Sequence, residues 1–503
     1  RAWERGYHKN MMRVPTFQED LIEIIKPDPG HLIATTACLG GFTGTMFDIG
    51  QTDRIERFLV GMQKIFGEEN FFVELQPSHL KPQIDYNSHM IINYWDKFNF
   101  IFTTDSHYLN KDEKEIQKLF LQSKMKDRDT DEYYASAYMM DYKEVKSYFD
   151  YYISMPKIET MAQNTNKINE MVGLYNLDHG QIVPKIKYET RFDTGKTEPI
   201  REMFEFAGSD EFHYLDLFMN SESPADVYLM NLILEGYYDK IFKLGAKPRK
   251  EISTHERMKE LDYELEQIYE TSIQINQSLS DYFITMAKMI EIIWDEADSL
   301  VGPGRGSAAG FLINYLIGIT QLDPMTQELY LPPWRFIHKD RPGLPDIDID
   351  TESNKRLKIF NKIKAYFNNI NADIINVCTF GTQGSKSSIR TAGRSLDVED
   401  STVAYLSSMV PNERGFDLSL TQCYHGDADH EPIKHFVEEM DKNPILWQLA
   451  SRIEGLITSL GAHAAGILIT EGSPARYNSV MKTSRGNRVS AFNLDDSEQM
   501  GGL

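Results

Sequence analysis

Short apolar, β-branched runs at Leu32–Thr36, Phe71–Leu75 and Phe100–Thr104 predict strands, and the amphipathic stretch Gln51–Phe66 between the first two predicts a helix. That βα alternation predicts an α/β layer or barrel at the start of the chain. From Lys111 to about Gly180 the pattern is helical and dense in aromatics (Tyr133, Tyr134, Tyr138, Tyr142, Tyr148, Phe149, Tyr151, Tyr152), which are assigned to core and interface packing. Val183–Thr194 reads as an extended connection. Val227–Leu244 and the strongly charged Glu251–Leu279 read as helices. Asp281–Leu300 is an apolar-rich helix leading into a run of small residues, Val301–Gly310, and no internal repeat interrupts the chain.

At 503 residues the chain is too long for one core, so several domains are expected. No apolar run is long enough to span a bilayer, and the three cysteines, Cys38, Cys378 and Cys423, are too scattered for a disulfide framework. A soluble cytoplasmic protein with no membrane partner is expected. The first residue is Arg1 rather than Met, so the N-terminus reads as a cut rather than a start. Lys and Arg number 53 against 75 Asp and Glu, a net charge of −22, which opposes general nucleic-acid coating. Positive charge is nevertheless concentrated: Phe380–Arg394 carries Lys386, Arg390 and Arg394 without an acid, and Arg335, His338, Lys339 and Arg341 form a second cluster. The acids gather elsewhere, in Asp127–Glu132, Asp427–Glu431 and Glu438–Asp441, so a polyanionic substrate is not excluded.

Two strings carry the chemistry. Val301–Gly310 (VGPGRGSAAG) has glycines at 302, 304 and 306 that let backbone N–H groups approach a phosphate, with Arg305 and Ser307 as side-chain donors. It lacks the closing G-K-[ST] of a P-loop and the spacing of a dinucleotide fingerprint, and alone it would read as an ordinary helix-opening loop. Pro345–Asp350 (PDIDID) changes that reading. As a strand it puts Asp346, Asp348 and Asp350 on one face and Ile347 and Ile349 on the other. Three like charges side by side call for a cation, and such carboxylates can hold two Mg²⁺ roughly 3.5–4 Å apart. Lys386 and Arg390, four residues apart on one helix face, can neutralise a triphosphate. In Gly461–Gly466 a lone His463 lies among small residues before the strand Ile467–Thr470, and a buried, hydrogen-bonded structural histidine is the expectation.

On the strings Val301–Pro324, Arg335–Asp350, Thr379–Arg390 and Gly461–Thr470, in that order, with Asp281–Ala297 before them, the chain resembles the C-family DNA polymerase III alpha subunit of bacteria. The divergence between motifs is compatible with a phage-encoded member. The resemblance implies an α/β multidomain chain: a partial PHP-type (βα) barrel over 1–187, a DNA polymerase beta-like nucleotidyltransferase palm over 188–390, a helical thumb insertion over 391–449, and a palm return over 450–503. It implies Asp346 and Asp348 as catalytic, Mg²⁺-binding aspartates, with Asp350 in support. Gly304, Arg305, Gly306, Ser307, Lys386 and Arg390 would bind the nucleotide. His31–Gly41 and Phe102–Leu109 resemble later PHP motifs, which puts Cys38, Asp105 and His107 on metal-ligand positions for Zn²⁺ or Mn²⁺; the opening H-x-H motif is absent. The family's third catalytic aspartate lies in a K-x-D-F-L string beyond the segment matched by Leu494–Leu503, so these 503 residues alone are expected to polymerise weakly or not at all. The implied partners are primer–template DNA and dNTP, and a sliding clamp and other replisome proteins through regions absent here. A PHP-type phosphoesterase or 3′–5′ exonuclease and a non-catalytic replisome scaffold are the rival readings.

Overall fold

The structure, a computed structural model, describes residues 16–124, 134–188, 192–243, 252–329, 331–483 and 488–503. The acidic run Asp127–Glu132 and Tyr133 lie outside the described residues. The fold is mixed α/β and divides into two compact units, residues 1–176 with 380–459, and residues 177–379 with 460–503. The segment expected as a helical insertion over 391–449 lies within 380–459, which groups with residues 1–176. Apolar contact explains the grouping, because Ile116, Leu119 and Phe120 of the helix Lys114–Lys124 pack on a core built from Ile389, Leu406, Phe436, Leu449 and Ile453.

In the first unit the strands Ala34–Thr35, Phe71–Leu75 and Asn99–Phe102 form a parallel sheet in that order. The middle strand is buried along its whole length, as a parallel strand with both faces covered requires. The helix Asp53–Phe66 buries Ile55, Leu59 and Phe66, keeping its apolar stripe inward. The aromatic-rich segment behaves as packing: Tyr134, Tyr138, Tyr148 and Phe149 are buried, whereas Tyr142 and Tyr151 are exposed.

The second unit is built on helices. The charged helix Thr254–Ile275 starts on a Ser253–Glu256 capping box and stops at Asn276, whose left-handed conformation (φ 53°) turns the chain into Leu279–Glu291. The latter is buried along most of its length and widens into a π turn at Ile292–Glu296. The helix Pro224–Tyr237 crosses the short helix Leu312–Leu316 so closely that a Cβ on Gly236 would lie 2.0 Å from the Leu316 carbonyl oxygen. A four-stranded sheet runs in the order Ile457–Glu471, Ala372–Thr382, Arg488–Ser490, Val480–Lys482. Gly461–Gly466 is part of the long strand Ile457–Glu471 rather than a loop preceding one. Among the described residues no helix is long and apolar enough to cross a membrane.

Since Gly236 faces backbone rather than a side chain that could swing away, Gly236→Ala should lower the unfolding free energy by about 1–3 kcal/mol in urea titrations.

Candidate active site

The second unit brings the glycine-rich turn and the aspartate run together. Leu300–Gly302 runs antiparallel to Asp350–Glu352: Val301 bridges Thr351, the Gly302 N–H donates to the Asp350 carbonyl at 2.8 Å, and the Leu300 N–H donates to the Glu352 carboxylate at 2.9 Å. That backbone donation and the neighbouring Lys355 ammonium, 3.0 Å away, hold the Glu352 carboxyl below the usual range. Gly302 is small because Asp350 is there. A Cβ on Gly302 would sit 2.9 Å from the Asp350 Cβ, so the first glycine serves chain packing rather than approach to a ligand. Gly304 (φ 146°) and Gly306 (φ 60°) take conformations that L side chains rarely adopt, and open space surrounds the Cβ position of Gly306. Gly304 and Arg305 donate no backbone hydrogen bond among the described residues. The N–H groups of Gly306 and Ser307 open the 3₁₀ turn Gly306–Gly310, where no earlier turn accepts them.

The turn is fixed from beneath. Phe311, Leu312 and Ile313 are fully buried, and Glu264, itself fully buried, accepts from the Leu312 and Ile313 N–H groups at 2.6 and 2.8 Å. Burial pushes the Glu264 carboxyl well up from its ordinary value, Glu260 adds to the shift, and the two backbone donors oppose it. Glu264 lies one turn from Leu261 and Ile268 on the buried side of its helix, so an acid on an apolar stripe was the available sequence signal.

Pro345–Asp350 corrects one expectation. The segment is extended but belongs to no sheet; its one bridge is the Val301–Thr351 pair at its end. The two-residue alternation holds nonetheless: Asp346, Asp348 and Asp350 are exposed, whereas Ile347 and Ile349 pack on the unit's core. A side chain supplies what a neighbouring strand would have supplied. Tyr282, buried on the helix Leu279–Glu291, donates its hydroxyl to the Pro345 carbonyl at 2.5 Å. Burial raises the Tyr282 phenol, with Asp346 and Glu498 adding to the shift; burial likewise raises the Glu498 carboxyl, aided by Asp495 and Asp346.

The carboxylates differ in their partners. Asp350 meets Arg305: Nε lies 3.1 and 3.2 Å from its two oxygens and Nη2 lies 3.0 Å from one. Asp346 and Asp348 have no ion-pair partner among the described residues, and Asp348 lines a small crevice with Gly302, Gly304, Ile347 and Asp350. Two exposed, unneutralised hard-oxygen donors fit a divalent cation of the Mg²⁺ type. The basic cluster before them is partly consumed, since Lys339 pairs with Glu266 at 2.7 Å and His338 faces Asp340. Arg335 is exposed, without an ion pair among the described residues, on the turn Pro333–Arg335, which packs against Gly306–Gly310. It is a cation beside the turn that motif reading left out of the site.

Lys386 and Arg390 belong to the other unit, on the helix Ser385–Ser395. Lys386 pairs with Asp417 at 2.6 Å, which holds the Asp417 carboxyl below its usual range; Arg390 is exposed without an ion pair among the described residues. His463 is half-buried rather than buried. Its Nδ1 accepts from the Gly466 N–H at 2.6 Å and the Ala465 N–H at 3.2 Å, a local backbone role.

The first unit does not gather the residues expected as PHP metal ligands. His107 is exposed, turns Nδ1 to the Asp105 carbonyl at 2.6 Å and meets Tyr134 edge-on; Asp105 is left-handed (φ 45°), and Cys38 is a half-buried free thiol. No group of three or more His, Cys, Asp or Glu side chains able to hold a metal occurs among the described residues. The buried acid of this sheet is Glu74, whose oxygens accept from Thr35 at 2.6 Å, Thr103 at 2.5 Å and Gln76 at 3.0 Å, so it is satisfied by protein donors. Among the described residues Cys38, Asp105 and His107 are not part of such a metal-holding group.

A glycine turn beside paired carboxylates on a helical scaffold defines a class of α/β site suited to phosphate and divalent metal. Comparison with known proteins narrows the class. The family described as the bacterial DNA polymerase III alpha NTPase domain matches residues 227–503, and the chain belongs to that family. It is 38% identical over 524 aligned positions, along its whole length, to "Probable DNA polymerase YorL" of Bacillus subtilis strain 168 and to the "DNA-directed DNA polymerase" of Bacillus phage SPbeta. It is 28% identical, over 59% of its length, to "DNA polymerase III subunit alpha" of Staphylococcus aureus strain MRSA252. The chain spans 39% of the first two relatives and 28% of the third.

Tyr282→Phe leaves the buried Pro345 carbonyl without its donor and should cost about 1–3 kcal/mol of stability, read from the shift of the urea midpoint.

Proposed function

We propose that this chain carries the palm of a replicative DNA-templated DNA polymerase, which transfers a nucleotide from a dNTP to a primer 3′-hydroxyl in the cytoplasm of a bacterial or phage-infected cell. The observation that carries the reading is the pairing of Leu300–Gly302 with Asp350–Glu352, which joins a turn with free backbone donors to two exposed, unpaired aspartates. In this reading the first unit begins as part of a PHP-type barrel, the second is a polymerase beta-like palm, and the helices within 391–449 form the thumb. Primer–template DNA and dNTP are the substrates, and a sliding clamp is a partner.

Gly304, Gly306 and Ser307 receive the triphosphate on backbone N–H groups and the Ser307 hydroxyl, and Arg305 and Arg335 oppose its charge. Asp346 and Asp348 would hold Mg²⁺, which when bound would supply charge neutralisation at the phosphates, and the primer 3′-hydroxyl attacks the α-phosphate in line with loss of pyrophosphate. The remaining residues act by positioning: Tyr282, Glu264 and Ile347 keep the carboxylates and the turn at fixed separation before any substrate arrives, the kind of preorganisation from which phosphoryl-transfer enzymes draw most of their rate. Asp350, already paired with Arg305, supports the site without binding metal.

In primer extension by the full-length protein, Asp346→Ala and Asp348→Ala should each reduce the rate about a thousandfold or more, whereas Asp105→Ala should leave it near that of the parent. Metal-dependent release of nucleotides from a 3′ end, abolished by Asp105→Ala and untouched by Asp346→Ala, would instead assign the activity to a phosphoesterase in the first unit.

A further inference from the structure

The Arg305–Asp350 pair is unlike the other ties around the turn. Asp350 is fixed by its main chain, bonded to Gly302, and by its Cβ, which fills the space a Gly302 side chain would need. Arg305 reaches it from an extended, exposed stem (φ −136°, ψ 148°), and the two side chains remain 57% and 55% exposed. The guanidinium presents its Nε–Nη2 edge to the carboxylate, with Nε 3.1 and 3.2 Å from the two oxygens and Nη2 3.0 Å from one. That edge is also the one with which arginine grips phosphate through two parallel N–H bonds. An exposed, solvent-screened ion pair contributes little, whereas a charge-assisted fork on a multiply charged phosphate is among the stronger polar contacts.

We propose that Arg305 has two positions: Asp350 holds it in the nucleotide-free chain, and a nucleoside triphosphate on the Gly304–Ser307 turn takes it from that carboxylate. The inference rests on the reading of this turn as a triphosphate cradle. Asp350 then acts as a positioning residue that competes with the substrate. It keeps Arg305 beside the turn while the turn is empty, and sets nucleotide affinity below what the turn and Arg305 would give together. Since Asp350 cannot follow the departing guanidinium, the exchange is made by Arg305 alone.

A double-mutant cycle tests this. Binding of dATP with Mg²⁺ and no primer, and of inorganic tripolyphosphate alone, is measured by calorimetry on the full chain for the parent, D350N, R305Q and D350N/R305Q. Both positions are exposed, and thermal melts check that each variant folds. Expected is that D350N tightens both ligands about fivefold and does so only when Arg305 is present. Weaker or unchanged binding in D350N overturns the exchange, and so does equal tightening in the R305Q background, which would show only the removal of a distant negative charge. If the parent binds and R305Q weakens it but D350N changes nothing, the cradle stands and the exchange fails; if no form binds either ligand, both fail.

Discussion

Everything in the candidate site depends on one short antiparallel contact between Leu300–Gly302 and Asp350–Glu352. It joins segments about fifty residues apart, one leading into the glycine turn and one closing the aspartate run. Neither segment belongs to a sheet that would hold it in register. Support comes from side chains rooted in the helical core: Tyr282 at Pro345, Glu264 under Leu312 and Ile313, and Ile347 and Ile349 packed inward. The two chemistry-bearing strings are therefore set by the packing of the helices Thr254–Ile275 and Leu279–Glu291 rather than by a strand ladder.

Electrostatics sorts the acids that this contact gathers. Asp350 is answered by Arg305 and Glu352 by Lys355, so these two hold structure. Asp346 and Asp348 have no ion-pair partner among the described residues, although Asp348 helps to raise the Arg305 guanidinium, and the field of Asp346 reaches Tyr282 and Glu498, helping to raise both. In a protein of net charge −22, two exposed carboxylates two residues apart and without an ion pair among the described residues are the donors that suit a cation. The buried acids are treated differently: Glu74 and Glu264 are each satisfied by protein donors, hydroxyls and an amide for the first and backbone N–H groups for the second.

Elements whose periodicity is local were legible in the sequence. Phe71–Leu75 is a strand over the predicted residues, and the helix expected over Gln51–Phe66 forms at Asp53–Phe66. The alternation of Pro345–Asp350 told which side chains face out, but not that the strand has no sheet, because pairing depends on residues far away in sequence. The break between the helices Thr254–Ile275 and Leu279–Glu291 was expected near Leu279–Asp281 but falls at Asn276, because charge and apolar spacing continue across that residue and only the left-handed backbone interrupts them. The reading of Gly302 as room for phosphate gave way to room for Asp350, a contact no spacing rule contains. Arg335 was visible as one of four basic residues, but that it and Arg341 are the two without an acidic partner among the described residues is decided by Glu266 and Asp340.

The central claim is that Asp346 and Asp348, and not Asp350, form the cation site. Electron paramagnetic resonance of Mn²⁺ titrated into the full chain tests it directly, with Mg²⁺ as competitor. Expected is a bound Mn²⁺ signal that Mg²⁺ displaces, that D346N and D348N each abolish, and that D350N retains. Unchanged Mn²⁺ binding in D346N and D348N, or its loss in D350N, would contradict the claim.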